Sequence, residues 1–114
     1  MRKVIIFAGC TVLILILGWA VWSLATASGE YDEFAKCLTS KGVIMAGTDW
    51  CHVCQAQKAL FGPSFRYIDY RNCDIGTFCD EQGITAYPTW IINGEKYRGK
   101  QPLSRLAELS GCSL

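Results

Sequence analysis

Residues 43–62 read VIMAGTDWCHVCQAQKALFG. Val43 to Ala46 is a short apolar run, which predicts a fully buried strand. A tight turn follows. A helix then begins at about Cys51, runs through QAQKALF and stops at Gly62-Pro63. This strand–turn–helix puts Cys51 and Cys54 on the first helical turn. A thiol there faces unpaired backbone N–H groups and the positive end of the helix dipole. Both favour thiolate over thiol, and the thiolate is the nucleophile. Cys54, one turn on and more buried, is placed to attack a mixed disulfide on Cys51 and release the partner. Protonated His52 would strengthen the thiolate, and Asp49 would oppose it.

Two other chemistries fit the same pair. With Cys73 and Cys79 it makes C-x2-C plus C-x5-C, a candidate zinc set with His52 spare, although zinc sites prefer a tighter second pair. The pair also fits a static staple. C-x-x-C beside a strand–helix junction favours redox chemistry over both. His52 is read equally well as a solvated residue at a helix start.

The compartment decides which chemistry is sustainable. Residues 4–25, VIIFAGCTVLILILGWAVWSLA, carry no charge and show no polar face. About 20 such residues suffice to cross a bilayer. Arg2 and Lys3 precede the run, and Glu30, Asp32 and Glu33 follow it. The expected order is therefore a cytoplasmic stub at 1–3, an anchor at 4–25 with Trp19 and Trp22 near the outer headgroups, a linker at 26–30 and an extracytoplasmic domain at 31–114. A cleaved signal peptide competes, because Ala25-Thr26-Ala27 fits a cleavage site, but the apolar run is longer than usual for one. Cys10 reads as a small residue tolerated in a membrane helix. The chain has 7 cysteines, which suits an oxidising compartment. Net charge is +1 without a basic run, so nothing points to nucleic acid.

The remaining pattern supplies a sheet. Tyr31, Phe34, Ala35 and Leu38 recur at helical spacing, with a stop at Gly42. Phe65 to Tyr70 reads as a strand. Asp74 to Gly83 reads as a short helix. Asn93-Gly94 between 89–92 and 95–98 is a hairpin signal. Pro102 opens a terminal helix that Gly111 closes. The expected fold class is α/β, with a four-stranded mixed sheet flanked by helices on both faces.

These residues resemble a known family. WCHVC, then AYPTW, then INGEKYRG are similar to the thioredoxin superfamily. FAKCLTSKGVIMAG, WCHVCQAQKALFG, YIDYRNC, ITAYPTWIINGEKYRG and LAELSG more closely resemble the thioredoxin-like domain fused to bacterial and plant homologues of vitamin K epoxide reductase. The resemblance covers about residues 31–112. It implies a thiol–disulfide oxidoreductase of the oxidase type, with Cys51 and Cys54 catalytic and no cofactor. A separate vitamin K epoxide reductase-like membrane protein would reoxidise the pair and pass electrons to quinone. The substrates would be reduced or unfolded exported proteins. A reductase of the same fold and a non-enzymatic zinc or structural module are the alternatives.

The resemblance further implies a cis Tyr87–Pro88 bond beside Cys51, with Tyr87 backbone groups open to a substrate strand. Trp50 would shield the disulfide edge, and Trp90 reads as core. Cys73 and Cys79 match a cysteine pair of the fused family, which implies a structural bridge across one loop, with an electron relay to Cys51–Cys54 as the alternative. Cys37 and Cys112 are left over. Their pairing would join two helices expected on opposite sheet faces, and Cys37 could instead neighbour the 74–83 helix. Thioredoxins proper carry a buried carboxylate six residues before the first cysteine. Met45 stands there in this chain.

Overall fold

Ile44–Gly47 forms β1, the strand on which the sheet is built. It pairs in parallel with β2 (Asp69–Asn72), Ile44 opposite Asp69. On its other side it pairs antiparallel with β3 (Thr89–Ile92), Met45 opposite Trp90. β4 (Glu95–Arg98) closes the order β2-β1-β3-β4 through an antiparallel hairpin. Asn93 and Gly94 take φ of 51° and 78°, which a type I′ turn requires. The computed structural model describes residues 2–25 and 28–114, with side chains at 9–21 and 28–114.

The helices are α1 (Arg2–Ala25), α2 (Asp32–Ser40), α3 (His52–Phe61), α4 (Phe78–Glu81) and α5 (Leu103–Ser110). The described side chains of α1 are all exposed. Among the described residues no helix is long and apolar enough to cross a membrane. The span expected over 4–25 extends at both ends beyond the side chains described, and Trp22 and part of the 26–30 linker lie outside them.

Alternation along the strands sorts the core into two faces. Val43, Met45, Trp90 and Ile92 point to one face, where Phe34, Ala35 and Leu38 of α2, Cys54 and Phe61 of α3, and Leu106 of α5 cover them. Ala46 points to the other, under Cys79 and Ile84, with Ile91 and Phe78 alongside. Helices α2 and α5 therefore share a face, contrary to the layer order expected above. Cys37 of α2 and Cys112, just past the end of α5, form a disulfide with a Cα separation of 6.0 Å. Cys73 and Cys79 are joined at 5.4 Å.

Two other elements differ from the sequence reading. Residues 62–67 form a 3-10 helix instead of opening a strand. Ser64 is buried there and accepts from the Tyr31 amide at 2.9 Å, while Thr39 donates to the Tyr67 carbonyl at 2.6 Å. Contact with α2 thus holds the segment, and the strand starts later, at Asp69. The helix expected over 74–83 forms only at Phe78–Glu81.

Gln57 is a buried polar residue that ties the core together. Its Oε1 accepts from Trp90 Nε1 at 3.0 Å and from the Gln101 amide at 2.7 Å. Its Nε2 donates to the Gln101 carbonyl at 3.0 Å. Gln57→Leu should lower unfolding free energy by about 1–3 kcal/mol for each orphaned donor, measured by urea denaturation. The two disulfides should differ in worth, since they close 75 and 6 residues. Cys112→Ala should cost about 4 kcal/mol and Cys79→Ala about 2 kcal/mol in the same assay.

Candidate active site

β1 ends at Gly47 in the middle of the sheet, and the next residues turn the chain into α3. Cys51 is the N-cap of that helix, with extended backbone (φ −78°, ψ 117°). Its sulfur takes the place usually held by a Ser or Asp oxygen. The Cys54 amide donates to Cys51 Sγ at 3.2 Å. Cys51 is half-buried, whereas Cys54 exposes nothing. The Tyr87–Pro88 peptide bond is cis, and the Tyr87 carbonyl lies 3.8 Å from Cys51 Sγ. Backbone just before β3 therefore faces the half-buried sulfur.

Around this pair the surface is aromatic and open. Trp50 is 67% exposed, meets the Tyr87 ring edge-on at 6.2 Å, and donates from Nε1 to Asp74 Oδ2 at 2.9 Å. Asp74 follows Cys73, so the Cys73–Cys79 loop carries the carboxylate that orients Trp50. His52 and Val53 are exposed on the first turn.

Cys54 is wedged against the sheet. A Cβ on Gly47 would stand 2.8 Å from Cys54 Sγ and 3.6 Å from Tyr70 Cε2, so only glycine fits. Burial pushes the Cys54 thiol up to about 11, and its hydrogen bond with Cys51 pushes the same way. The Thr48 amide and the Lys58 charge oppose them. Lys58 is held by Asp49 at 3.5 Å and over the Tyr70 ring at 3.9 Å. Asp49 also accepts from Tyr70 Oη at 3.0 Å and Asn72 Nδ2 at 3.1 Å. The Tyr70 phenol is raised by burial, then by Asp49.

The structure thus brings Trp50, Cys51, Cys54, Tyr87 and Pro88 together, with His52 exposed beside them. Cys37 and Cys112 lie away from them, in the bond between α2 and α5. Cys73 and Cys79 are bonded to each other, which takes two sulfurs from the zinc set. Among the described residues, no three His, Cys, Asp or Glu side chains are placed to share an ion. Met45 is fully buried in the apolar face. Sequence reasoning missed Lys58, Tyr70 and Asn72. Lys58 was findable, because it stands four residues after Cys54 on one helix. A cavity of about 280 Å³ lies to one side, lined by Tyr70, Asn72, Ile75 and Phe78 among others.

No family model matches the chain. It is 37% identical over 102 residues to a plant protein, thiol-disulfide oxidoreductase LTO1 of Arabidopsis thaliana. The alignment covers 80% of this chain and 27% of that relative, so the chain spans about a quarter of the relative's length. The mixed sheet, its flanking helices and this similarity fit a thioredoxin-like α/β domain.

The raised Cys54 thiol makes stability pH-dependent in the reduced state. The folded protein keeps this proton to about 11, whereas an ordinary thiol loses it near 9.0. This contribution to stability is complete below the ordinary value and is lost as pH rises towards the folded one. Urea denaturation of the reduced chain should show falling stability across that window. Cys54→Ala should flatten the decline even though it lowers stability overall.

Proposed function

We propose that the protein is a thiol–disulfide oxidoreductase that introduces disulfides into exported proteins. The observation that carries this reading is the pairing of sulfurs: Cys51 half-exposed on the helix N-cap, Cys54 buried one turn behind, within reach of the same bond. The relative's activity, thiol–disulfide exchange, supports the same chemistry.

In the oxidising direction a substrate thiolate attacks Cys51 Sγ of the Cys51–Cys54 disulfide. The S–S bond breaks, and its electron pair goes to Cys54 Sγ, which takes a proton. A second substrate thiolate then attacks the substrate sulfur of the mixed disulfide and expels Cys51 as thiolate. The substrate loses two protons and two electrons, and Cys51 and Cys54 become a dithiol. Trp50 and the Tyr87 carbonyl flank the attacked sulfur, where an extended segment would lie against the backbone before Pro88.

In this reading residues 4–25 hold the domain on the outer side of a membrane, supported by their apolar composition and by the charges around them. The dithiol is reoxidised there by a vitamin K epoxide reductase-like protein, which passes the electron pair to quinone. The sequence resemblance over residues 31–112 supports that partner. Sharing one membrane raises the effective concentration of the two.

Cys54→Ser in the full chain should accumulate mixed disulfides between Cys51 and exported proteins, identified by diagonal electrophoresis and mass spectrometry. Absence of any adduct, together with stoichiometric zinc in the purified protein, would overturn the reading. Direction is tested by the equilibrium potential: about −120 to −200 mV fits an oxidase and about −270 mV a reductase.

A further inference from the structure

The buried sulfur has the Thr48 amide to stabilise its charge, and little else in its immediate surroundings. In either direction of exchange Cys54 must exist briefly as a thiolate, and its pocket is apolar on the sheet side. β1 (Ile44–Gly47) and β3 (Thr89–Ile92) present no titratable side chain, and Met45 is fully buried among them. The titratable and charged groups near Cys54 come from elsewhere. They are Cys51 at the helix start, Lys58 on α3, Tyr70 on β2 and Asp49 in the turn between β1 and α3, with Asp74 further out beyond Tyr70.

Of these only Lys58 is a cation. It sits four residues after Cys54 on the same helix, so the two side chains share a face. It is not a loose surface lysine. Its side chain is 21% exposed, its ammonium lies 3.9 Å from the Tyr70 ring centroid and 5.4 Å from that of Phe65, and Asp49 holds it at 3.5 Å. Tyr70 in turn flanks Gly47 alongside Cys54 Sγ. Aromatic rings and a carboxylate therefore fix a positive charge one helical turn from Cys54, on the ring that also borders Gly47.

We propose that Lys58 is a positioning residue for the exchange reaction, a fixed cation that stabilises the Cys54 thiolate, and that Asp49 tempers it. This rests on the oxidoreductase reading above. When Cys54 resolves a mixed disulfide, its thiol proton passes to water. The resulting thiolate attacks Cys51 Sγ, the Cys51–S bond to the partner breaks, and the electron pair leaves on the partner sulfur. In the opposite direction a partner thiolate attacks Cys51 Sγ and bonds to it, the Cys51–Cys54 bond breaks, the pair settles on Cys54 Sγ, and water returns the proton. The charge of Lys58 lowers the energy of the same species both ways.

The test uses the full chain, reduced and mixed with oxidised glutathione, with rapid acid quench and mass spectrometry to separate capture by Cys51 from resolution by Cys54 across pH. Lys58→Met keeps the apolar stem and removes the charge. Its resolution profile should move up by about one pH unit. At neutral pH the thiolate fraction then falls about tenfold, the more basic thiolate recovers about threefold in nucleophilicity, and resolution slows by about threefold. Lys58→Arg should restore the profile. Asp49→Asn, on an exposed turn, should move it down and so gives a second reading if Lys58→Met folds poorly. A Lys58→Met profile that superimposes on the parent, or shifts of one sign in both variants, overturns the proposal. A parent chain that captures no glutathione on Cys51 overturns the oxidoreductase reading and this one with it.

Discussion

The amide of Cys54 reaches back 3.2 Å to the sulfur of Cys51, and that contact fixes the geometry of everything around it. A helix must satisfy its first N–H groups with something, and here the acceptor is a thiol sulfur. The cap therefore does two jobs. It starts α3, and it holds Cys51 Sγ at the mouth of the site while Cys54 faces inward. The inward position is possible only because Gly47 has no side chain, since a Cβ there would meet Cys54 Sγ at 2.8 Å. One hydrogen bond positions Cys51 Sγ, and the bare glycine leaves room for Cys54 Sγ.

The rest of the fold keeps that helix start still. Gln57, one turn beyond Cys54, binds the indole of Trp90 and both polar groups of the Gln101 backbone. α3 is thus pinned to the central sheet just behind its Cys51 cap. The two disulfides act on different parts of the same frame. Cys37–Cys112 joins α2 to the end of α5 on the face that Cys54 and Phe61 also cover. Cys73–Cys79 holds the loop whose Asp74 accepts from Trp50. A domain this small buries proportionally little surface, and cross-links compensate.

The parts legible in the sequence are those fixed by local chemistry. Asn93-Gly94 announces its hairpin because few residues tolerate positive φ twice in succession. VIMA and the C-x-x-C after it announce a buried strand entering a helix. β2 begins later than the sequence pattern suggests, for a physical reason. Phe65, Tyr67 and Ile68 look like strand residues, yet packing against α2 winds 62–67 into a 3-10 helix. The strand that follows, Asp69–Asn72, pairs on one side only, so it is polar and carries no apolar alternation to read. The shared face of α2 and α5 was illegible too, because layer assignment depends on crossovers that no local pattern encodes. At the site, Cys51, Cys54 and Pro88 could be found from spacing and resemblance. Tyr70 and Asn72 could not, since their meeting with Asp49 depends on the register of β2 against β1, with Asn72 opposite Gly47.

The electrostatics of the pair then follow from where each sulfur lies. Burial makes Cys54 a poor acid, and a poor acid is also a slow leaving group. For an oxidase this has opposite effects on two steps. Slow resolution by Cys54 prolongs the mixed disulfide on Cys51, giving a second substrate thiol time to complete the transfer. The same basicity hinders the first step, in which substrate attack must expel Cys54. Complete neutralisation of the buried thiolate would remove the hindrance to expulsion but forfeit the prolonged mixed disulfide. On the proposed role of Lys58, a cation shared with Asp49 would ease expulsion of Cys54 in part while leaving its resolving attack slow. An apolar residue at Met45 is consistent with that compromise, because a carboxylate beneath the sulfur would assist proton removal and shorten the intermediate.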